Sequence, residues 1–218
     1  MPSKINETLH EAAAQGGLKK VKSALAAGAD LESRDPSGST ALTSAAGGGH
    51  LQTVEYLLER GASVRNGRNT EFTPLMAAAR TGGNLDIVEA LVRAGANVNA
   101  ASYEQSVLMH AAAGGNLNIV RRLIELGADP HASDEDFVNT ALDYALVGKH
   151  REVAKHLEEL GVIALRVPMV TFAKAIAREF GGRAIECQGC VLVNPKITGL
   201  KVQVTVKASA CELVLADF

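Results

Sequence analysis

The 218-residue sequence has little of several kinds of residue, and each shortage narrows the classes of protein that it could encode. Aromatic residues make up 4% of the chain and tryptophan is absent, whereas hydrophobic residues of all kinds make up 47%. The apolar content is therefore mostly alanine, leucine and valine. Such a composition favours close packing of helices over a deep pocket walled by aromatic rings.

Charge of one sign, long apolar runs and cysteine are also scarce. The formal net charge of −2 gives no electrostatic reason to expect nucleic acid, because phosphate binding needs a basic surface. No stretch approaches the roughly 18 apolar residues of a membrane span, and the first residues lack the apolar core of a signal peptide. Three cysteines are too few for a secreted disulfide framework. We therefore expect a soluble cytoplasmic protein that binds neither nucleic acid nor membrane.

What the sequence does have is a repeat. A leucine, here called the repeat leucine, recurs at steps of 33 or 34 residues, and a glycine follows each one after 19 or 20 residues. The repeat leucines are Leu9, Leu42, Leu75, Leu108 and Leu142, and the glycines are Gly28, Gly61, Gly95, Gly127 and Gly161. A regular period of this length predicts stacked structural units.

Each unit predicts two helices. A hydroxyl residue near the repeat leucine is expected to cap a short, alanine-rich helix that glycines then end. These hydroxyl residues are Thr8, Thr40, Thr73, Ser106 and Thr140. A second helix follows with apolar residues at helical spacing and stops at the glycine of a Gly-Ala pair. Because a lone helix pair cannot bury both of its faces, neighbouring copies must cover them.

The segments "STALTSAAGGGHLQTVEYLLERGASVRN" and "FTPLMAAARTGGNLDIVEALVRAGANVNA" resemble ankyrin repeats. The resemblance covers about Asn6 to Gly161 and implies a mainly α solenoid of helix-turn-helix units with β-turn fingers. We place this domain at residues 1–161, with repeats at approximately 6–34, 35–67, 68–101, 102–133 and 134–161. The first and last units depart from the pattern, with Gly17 in place of a histidine and Lys149 in place of a glycine.

The resemblance implies a non-catalytic scaffold or adaptor that binds a partner protein in a concave groove lined by the fingers and the first helix of each repeat. Carried over to this chain, the expected partner-binding residues are Ser37, Ser39, Arg68, Thr70, Phe72, Arg80, Thr81, Tyr103, Gln105, Asp134, Asp136 and Phe137. Small residues beside the glycine breaks, such as Gly47, Gly48 and Gly114, would let a partner backbone approach closely. No cofactor, metal or catalytic residue is expected.

A structural alternative stands beside each of these assignments. Aromatic residues in the fingers often pack on the neighbouring repeat instead of a partner. Arginines at positions 65, 68 and 80 and the acidic "DED" of the fourth finger suggest a polar gradient, but such runs are usually solvated surface. His10, His50 and His110 are expected to hold helix termini or turns and not a metal.

The last residues, 162–218, follow a different pattern that predicts a small α+β domain of no family that we recognise. Pro168 to Gly182 reads as a helix, with Phe172, Ile176 and Phe180 at helical spacing. Alternating apolar and polar residues then predict a three- or four-stranded antiparallel meander with a tight turn at Gln188-Gly189. We expect the helix to pack on the fifth repeat or on the sheet, and an exposed sheet edge would allow a homodimer.

Cys187 and Cys190 form a C-x-x-C motif across this turn. A structural zinc site needs four ligands, and only Cys211 and carboxylates such as Glu186 or Glu212 could complete one nearby. A thioredoxin-like redox site needs the motif at a helix N-terminus, whereas here it flanks a hairpin turn. Structural cysteines are favoured, with a redox pair and zinc left open.

Three functions remain after these observations. The favoured one is the non-catalytic adaptor, with the C-terminal unit serving attachment or self-association. The second is a small ligand-binding or catalytic C-terminal domain whose partner or substrate the repeats recruit. The region has no histidine after His156 and no phosphate-binding glycine loop, which argues against that reading. The third is a redox-responsive adaptor that uses Cys187 and Cys190.

Overall fold

A computed structural model describes residues 4–65, 72–102, 105–134 and 139–164 with their side chains, and four strands between residues 183 and 216 by their backbone. The chain divides into two compact units, Met1–Leu165 and Arg166–Phe218. No helix in the described ranges is long and apolar enough to cross a membrane.

The described part of the first unit contains ten helices that alternate between an inner and an outer member. The inner helices are α1 (Lys4–Ala14), α3 (Ala41–Gly47), α5 (Pro74–Thr81), α7 (Val107–Gly114) and α9 (Ala141–Val147). The outer helices are α2 (Leu18–Ala26), α4 (Leu51–Glu59), α6 (Leu85–Arg93), α8 (Leu117–Glu125) and α10 (Arg151–Glu159). The predicted series of helical hairpins is therefore confirmed.

Hydroxyl side chains start the middle inner helices as predicted. Thr40, Thr73 and Ser106 each accept a hydrogen bond from the backbone N–H three residues later. In the fifth repeat the roles are reversed, because the Asp143 carboxylate accepts the backbone N–H of Thr140 at 2.7 Å. In the second to fourth repeats a hydroxyl thus satisfies one of the backbone donors that a helix start leaves unpaired.

The first repeat differs from this prediction. Helix α1 begins at Lys4, so Thr8 lies inside the helix and its hydroxyl donates to the Lys4 carbonyl at 3.0 Å. The expectation that Thr8 opens a helix is wrong. Glu7 occupies the position two residues before the repeat leucine, where the other four repeats have their capping hydroxyl.

The core is a continuous stack of leucines and alanines along the inner helices. The five repeat leucines are between 0% and 3% exposed. Each of the first four repeat leucines is followed, four residues later, by an alanine that is at most 1% exposed because the next repeat covers it. These alanines are Ala13, Ala46, Ala79 and Ala112. Each repeat thus buries a face that it could not bury alone, as the sequence predicted.

Inner helices contact their neighbours more extensively than outer helices do. The backbones therefore lie closer together on the inner side, and the stack of the first unit curves toward it. Hydrogen bonds at the start of the outer helices also join successive repeats. His50 Nε2 lies 2.9 Å from the Ala14 carbonyl oxygen, and His150 Nε2 lies 3.0 Å from that of Ala113. Asn116 Nδ2 donates to the Gly82 carbonyl at 2.7 Å.

The fifth repeat presents apolar side chains to solvent. Leu146 occupies the position of the buried alanines and is 49% exposed, while Val147 and Ile163 are at least 70% exposed. Among the residues that the structure describes with side chains, no further element covers this face.

The second unit contains an antiparallel sheet in the order β3-β4-β5-β6. Its strands are β3 (Arg183–Cys187), β4 (Cys190–Asn194), β5 (Lys201–Lys207) and β6 (Ala210–Ala216); β1 and β2 belong to a finger described below. The predicted meander is confirmed with four strands. In the register of β3 and β4, Cys187 lies opposite Cys190 at the first turn. The predicted helix around residues 168–180 lies outside the described residues.

Candidate functional site

An exposed stripe runs along the inner side of the repeats. It is formed by the fifth residue after each repeat leucine, which is exposed or half-buried in every repeat. These residues are Ala14, Gly47, Arg80, Ala113 and Val147. Since inner helices line the concave side of the stack, the stripe is the surface that a groove-binding partner would meet.

Fingers rise beside this stripe at the joins between repeats. The first finger is a turn in which the Asp35 N–H donates to the Ser39 carbonyl and the Gly38 N–H donates to that of Asp35. In the third finger, β1 (Ala101–Ser102) pairs with β2 (Gln105–Ser106). In the fourth, Ser133 forms an antiparallel bridge with Thr140. The expected hairpin-like fingers are therefore present at these three joins.

Two predicted residues of the first finger hold the turn itself. Asp35 Oδ1 accepts the Ser37 hydroxyl at 2.6 Å and the backbone N–H groups of Ser37 and Ser39 at 2.8 and 2.9 Å. Burial would raise the pKa of Asp35, but these hydrogen bonds outweigh it and leave the pKa below its usual value. Ser37 and Ser39 thus fix the shape of the finger, and the exposed Ser37 also lies at its tip.

Arg80, which belongs to the exposed stripe, and Thr81 are the last two residues of helix α5. Both side chains are exposed, and the Thr81 hydroxyl lies 3.2 Å from the carbonyl oxygens of Ala77 and Ala78. Gln105 is half-buried in the third finger. Asp134 is half-buried in the fourth finger and accepts hydrogen bonds from the backbone and side-chain nitrogens of Asn139.

Phe72 packs on the following repeat. Its half-buried ring packs at nearly a right angle to the His110 imidazole, with 5.2 Å between the ring centroids. Desolvation, with a smaller contribution from the positive charge of Arg80, lowers the pKa of His110 to about 4. His110 Nε2 is buried and has no hydrogen-bond partner among the residues that the structure describes. His110 therefore packs between repeats and holds no helix terminus, unlike His50, whose ring reaches the last carbonyl of α1.

The remaining predicted partner-binding residues lie outside the described part of the chain. They are Arg68, Thr70, Tyr103, Asp136 and Phe137. The polar gradient between the second and fourth fingers depends on several of them and stays a prediction.

The glycines beside the stripe have a use within the stack. A Cβ atom on Gly114 would lie 2.7 Å from the Ala79 carbonyl oxygen and closer still to that of Arg80, and one on Gly48 would lie 3.0 Å from the Ala14 carbonyl oxygen of the preceding repeat. The absence of a side chain at these positions therefore lets successive repeats approach each other. Gly47 differs, because its Cβ would meet Ala77 at an ordinary 3.5 Å.

A groove that sequence reasoning missed lies between the first finger and the inner helices of the first two repeats. We call it the first-repeat groove; it has a volume of about 400 Å³ and is lined by Glu7, His10, Glu11, Ala14, Arg34, Asp35, Pro36 and Ser44. Aligning the five units would have shown that Glu7 and Glu11 are acidic only in the first. Their approach to Asp35, about 25 residues away in the sequence, depends on the folded finger.

No group of three histidine, cysteine, aspartate or glutamate side chains in the described residues could hold a metal ion. The structure gives only the backbone of Cys187 and Cys190, so a redox or zinc role for them stays a prediction. Thiol titration under oxidising and reducing conditions tests the redox reading, because inert thiols show no change.

Comparison with known proteins assigns the repeated part of the chain. The family profile described as "Ankyrin repeats (3 copies)" matches residues 9–102 and again residues 83–163. A curated protein of Rickettsia felis, named as an ankyrin repeat protein, is 42% identical over 52 residues, which is 24% of this chain and 82% of the relative. Ankyrin repeats are generally protein–protein interaction modules and typically non-catalytic. Since the matched residues span well over half of the sequence, the chain belongs to the ankyrin repeat family.

Proposed function

We propose that this chain is a non-catalytic adaptor whose concave stripe and fingers bind a segment of a partner protein. The observation that carries this proposal is the run of small or exposed residues along the inner helices, with Arg80 and Thr81 at its centre. Small side chains leave room for a peptide backbone, and arginine is favoured at protein interfaces.

A selection from random peptides tests the proposal without an identified partner. Displayed peptides of about twelve residues, which span roughly 40 Å when extended, are selected on the full chain. Fluorescence polarisation then measures each selected peptide against two variants. One variant adds uncharged bulk to the stripe (Ala14→Tyr with Ala113→Tyr), and the other adds it to exposed positions of the outer helices (Gln52→Tyr with Asn118→Tyr).

We expect the stripe variant to bind at least about tenfold more weakly and the outer-helix variant to bind like the wild type. Equal loss in both variants, or no peptide selected, would contradict the proposal. Circular dichroism confirms that both variants remain folded.

We further propose that the second unit supports self-association. Strands β3 and β6 are the two edges of its sheet, and an edge strand presents unpaired backbone groups to a second copy. Light scattering after size exclusion is expected to give twice the chain mass for the full chain and a single mass for a chain ending at Leu165. A full chain that stays monomeric at high concentration contradicts this proposal.

A further inference from the structure

We infer that the first-repeat groove binds a lysine- or arginine-bearing segment of the partner protein. This inference rests on the proposed function, since it places one part of that partner on the concave side and names its chemistry. Four observations carry it: the residues at two positions of α1, the charge of the groove, the unpaired nitrogen of His10 and the apolar floor.

Glu7 and Glu11 stand at positions where the other repeats have uncharged residues. The position of Glu7 carries a capping threonine or serine in every other repeat, and the position of Glu11 carries Ser44, Ala77, His110 and Tyr144. Two like charges one helical turn apart disfavour a helix, whereas a negative charge such as Glu7 in the first turn of α1 is favourable. These two small effects oppose each other, so the helix gains little from keeping both glutamates.

The groove has an excess of negative charge. Among the described lining residues, Glu7, Glu11 and Asp35 face one cation, Arg34, whose guanidinium donates to the Gly38 carbonyl at 2.9 Å. Within the part of the chain that the structure describes, Glu7 and Glu11 are exposed and form no ion pair. An incoming cation would therefore meet two free carboxylates at the wall of a concave surface, where opposite charges steer association.

His10 lines another side of the groove, and one of its ring nitrogens has no hydrogen-bond donor near it among the described residues. The Ser33 hydroxyl donates its one hydrogen to the Asp30 carbonyl at 2.7 Å, so its oxygen accepts from His10 Nε2, 3.2 Å away. Nδ1 of the neutral ring then carries a lone pair, and this atom is buried without a partner in the described ranges, in a side chain that is 7% exposed. A guanidinium or ammonium group brings N–H donors to this side of the groove, whereas a carboxylate would bring only acceptors.

Size and floor fit a long cationic side chain. Ala14 and Pro36 supply apolar surface, and the volume of about 400 Å³ lies within the range of binding pockets for small groups. Lysine and arginine pack their methylene stems on apolar surface while the charged end stays in polar surroundings. The apolar floor of the groove matches the methylene stem, and the two glutamates match the charged end.

The test uses the peptides selected on the full chain and two variants that remove the same charge. Glu7→Gln with Glu11→Gln neutralises the groove. Glu55→Gln with Glu59→Gln neutralises an exposed pair at the same spacing on the outer helix α4. We expect enrichment of lysine and arginine over the starting library and binding about tenfold weaker for the groove variant only, with weaker binding at high salt.

The outcomes separate this inference from the proposed function. Selected peptides that lack lysine and arginine but are blocked by the tyrosines of the stripe variant would overturn the inference and leave groove binding intact. Basic peptides that bind both glutamine variants equally would overturn it as well. Failure to select any peptide would overturn both. Neutralising the pair removes both a like-charge repulsion and a favourable interaction with the N-terminus of α1, which offset each other, so loss of binding would not reflect unfolding.

Discussion

At the scale of single residues, the molecule depends on positions where a side chain would be too large. Gly114 is such a position, since its Cα faces the last turn of α5 in the preceding repeat and a Cβ would approach the Arg80 and Ala79 carbonyl oxygens. The neighbouring atoms belong to the backbone, which cannot rotate away as a side chain could. Close approach of the repeats therefore requires glycine there.

We predict that Gly114→Ala lowers the free energy of unfolding by about 1–3 kcal/mol, because the added methyl group overpacks the contact between repeats. Urea denaturation measures the change. Gly83→Ala is the matched control, since its Cβ would meet only the Thr81 hydroxyl at 3.9 Å. Equal effects of the two substitutions would contradict this explanation of the glycine.

His110 predicts a pH dependence of stability. Its pKa is about 4 in the folded chain against an ordinary value of 6.5, so the unfolded chain binds the proton more tightly. The contribution of His110 to stability is therefore greatest above about pH 6.5 and falls as the pH drops toward 4. Between about pH 7 and pH 5 the loss from this residue is about 2 kcal/mol.

Urea denaturation of the wild type and His110→Ala across this pH range measures that loss. The variant should be less dependent on pH, whatever the cost of the cavity that it leaves. An unchanged pH dependence, or an NMR titration of His110 near 6.5, would show that the ring is more accessible to water than its burial indicates.

At the scale of elements, capping decides where the inner helices begin. The Thr73 side chain accepts the Met76 N–H at 3.2 Å at the start of α5, whereas Thr8 lies inside α1 and is exposed. We predict that Thr73→Ala lowers the free energy of unfolding by about 1 kcal/mol and that Thr8→Ala changes it by less than about 0.5 kcal/mol. Thermal denaturation of the two variants side by side checks this. A larger effect of Thr8→Ala than of Thr73→Ala would contradict this account, because it would indicate that Thr8 caps a helix.

The same comparison shows what the sequence could predict of the elements. Period, leucines and capping hydroxyls predicted the middle helices because each repeat solves the same packing problem with the same residues. The prediction that Thr8 opens a helix was wrong because Thr8 stands one residue away from the usual cap position, which Glu7 occupies. The residues before Thr8 also extend the helix. The strands of the second unit followed from simple alternation, and their register pairs Val202 with Leu215 and Val204 with Leu213.

At the scale of the whole molecule, stability comes from each repeat covering its neighbour. Leu108 is 1% exposed in the fourth repeat, whereas Leu146 is 49% exposed in the fifth. We predict that Leu108→Ala lowers the free energy of unfolding by about 2–5 kcal/mol, because it leaves a cavity between repeats, and that Leu146→Ala changes it by less than about 1 kcal/mol. Chemical denaturation measures both, and a comparable loss in the two variants would argue against serial stacking.

The first-repeat groove could not be predicted at this scale from the pattern alone. Asp35 and Pro36 approach Glu7 and Glu11 only because the finger folds back beside α1. The predicted partner-binding residues divide in a similar way. Arg80 is exposed on the stripe and Thr81 is exposed next to it, whereas Phe72 packs on the next repeat and Ser39 and Asp134 hold their turns. A sequence pattern indicates which residues stand in a finger, but contacts between repeats decide which of them remain free for a partner.

Amide chemical-shift mapping tests binding on the concave side most directly. A peptide selected on the full chain is titrated into the isotope-labelled protein, and shifts are followed at the stripe and on the outer helices. We predict shifts at Ala14, Gly47, Arg80 and Ala113, with little change at Gln52 or Glu89. Shifts confined to the outer helices, with the stripe unmoved, would contradict binding in the groove.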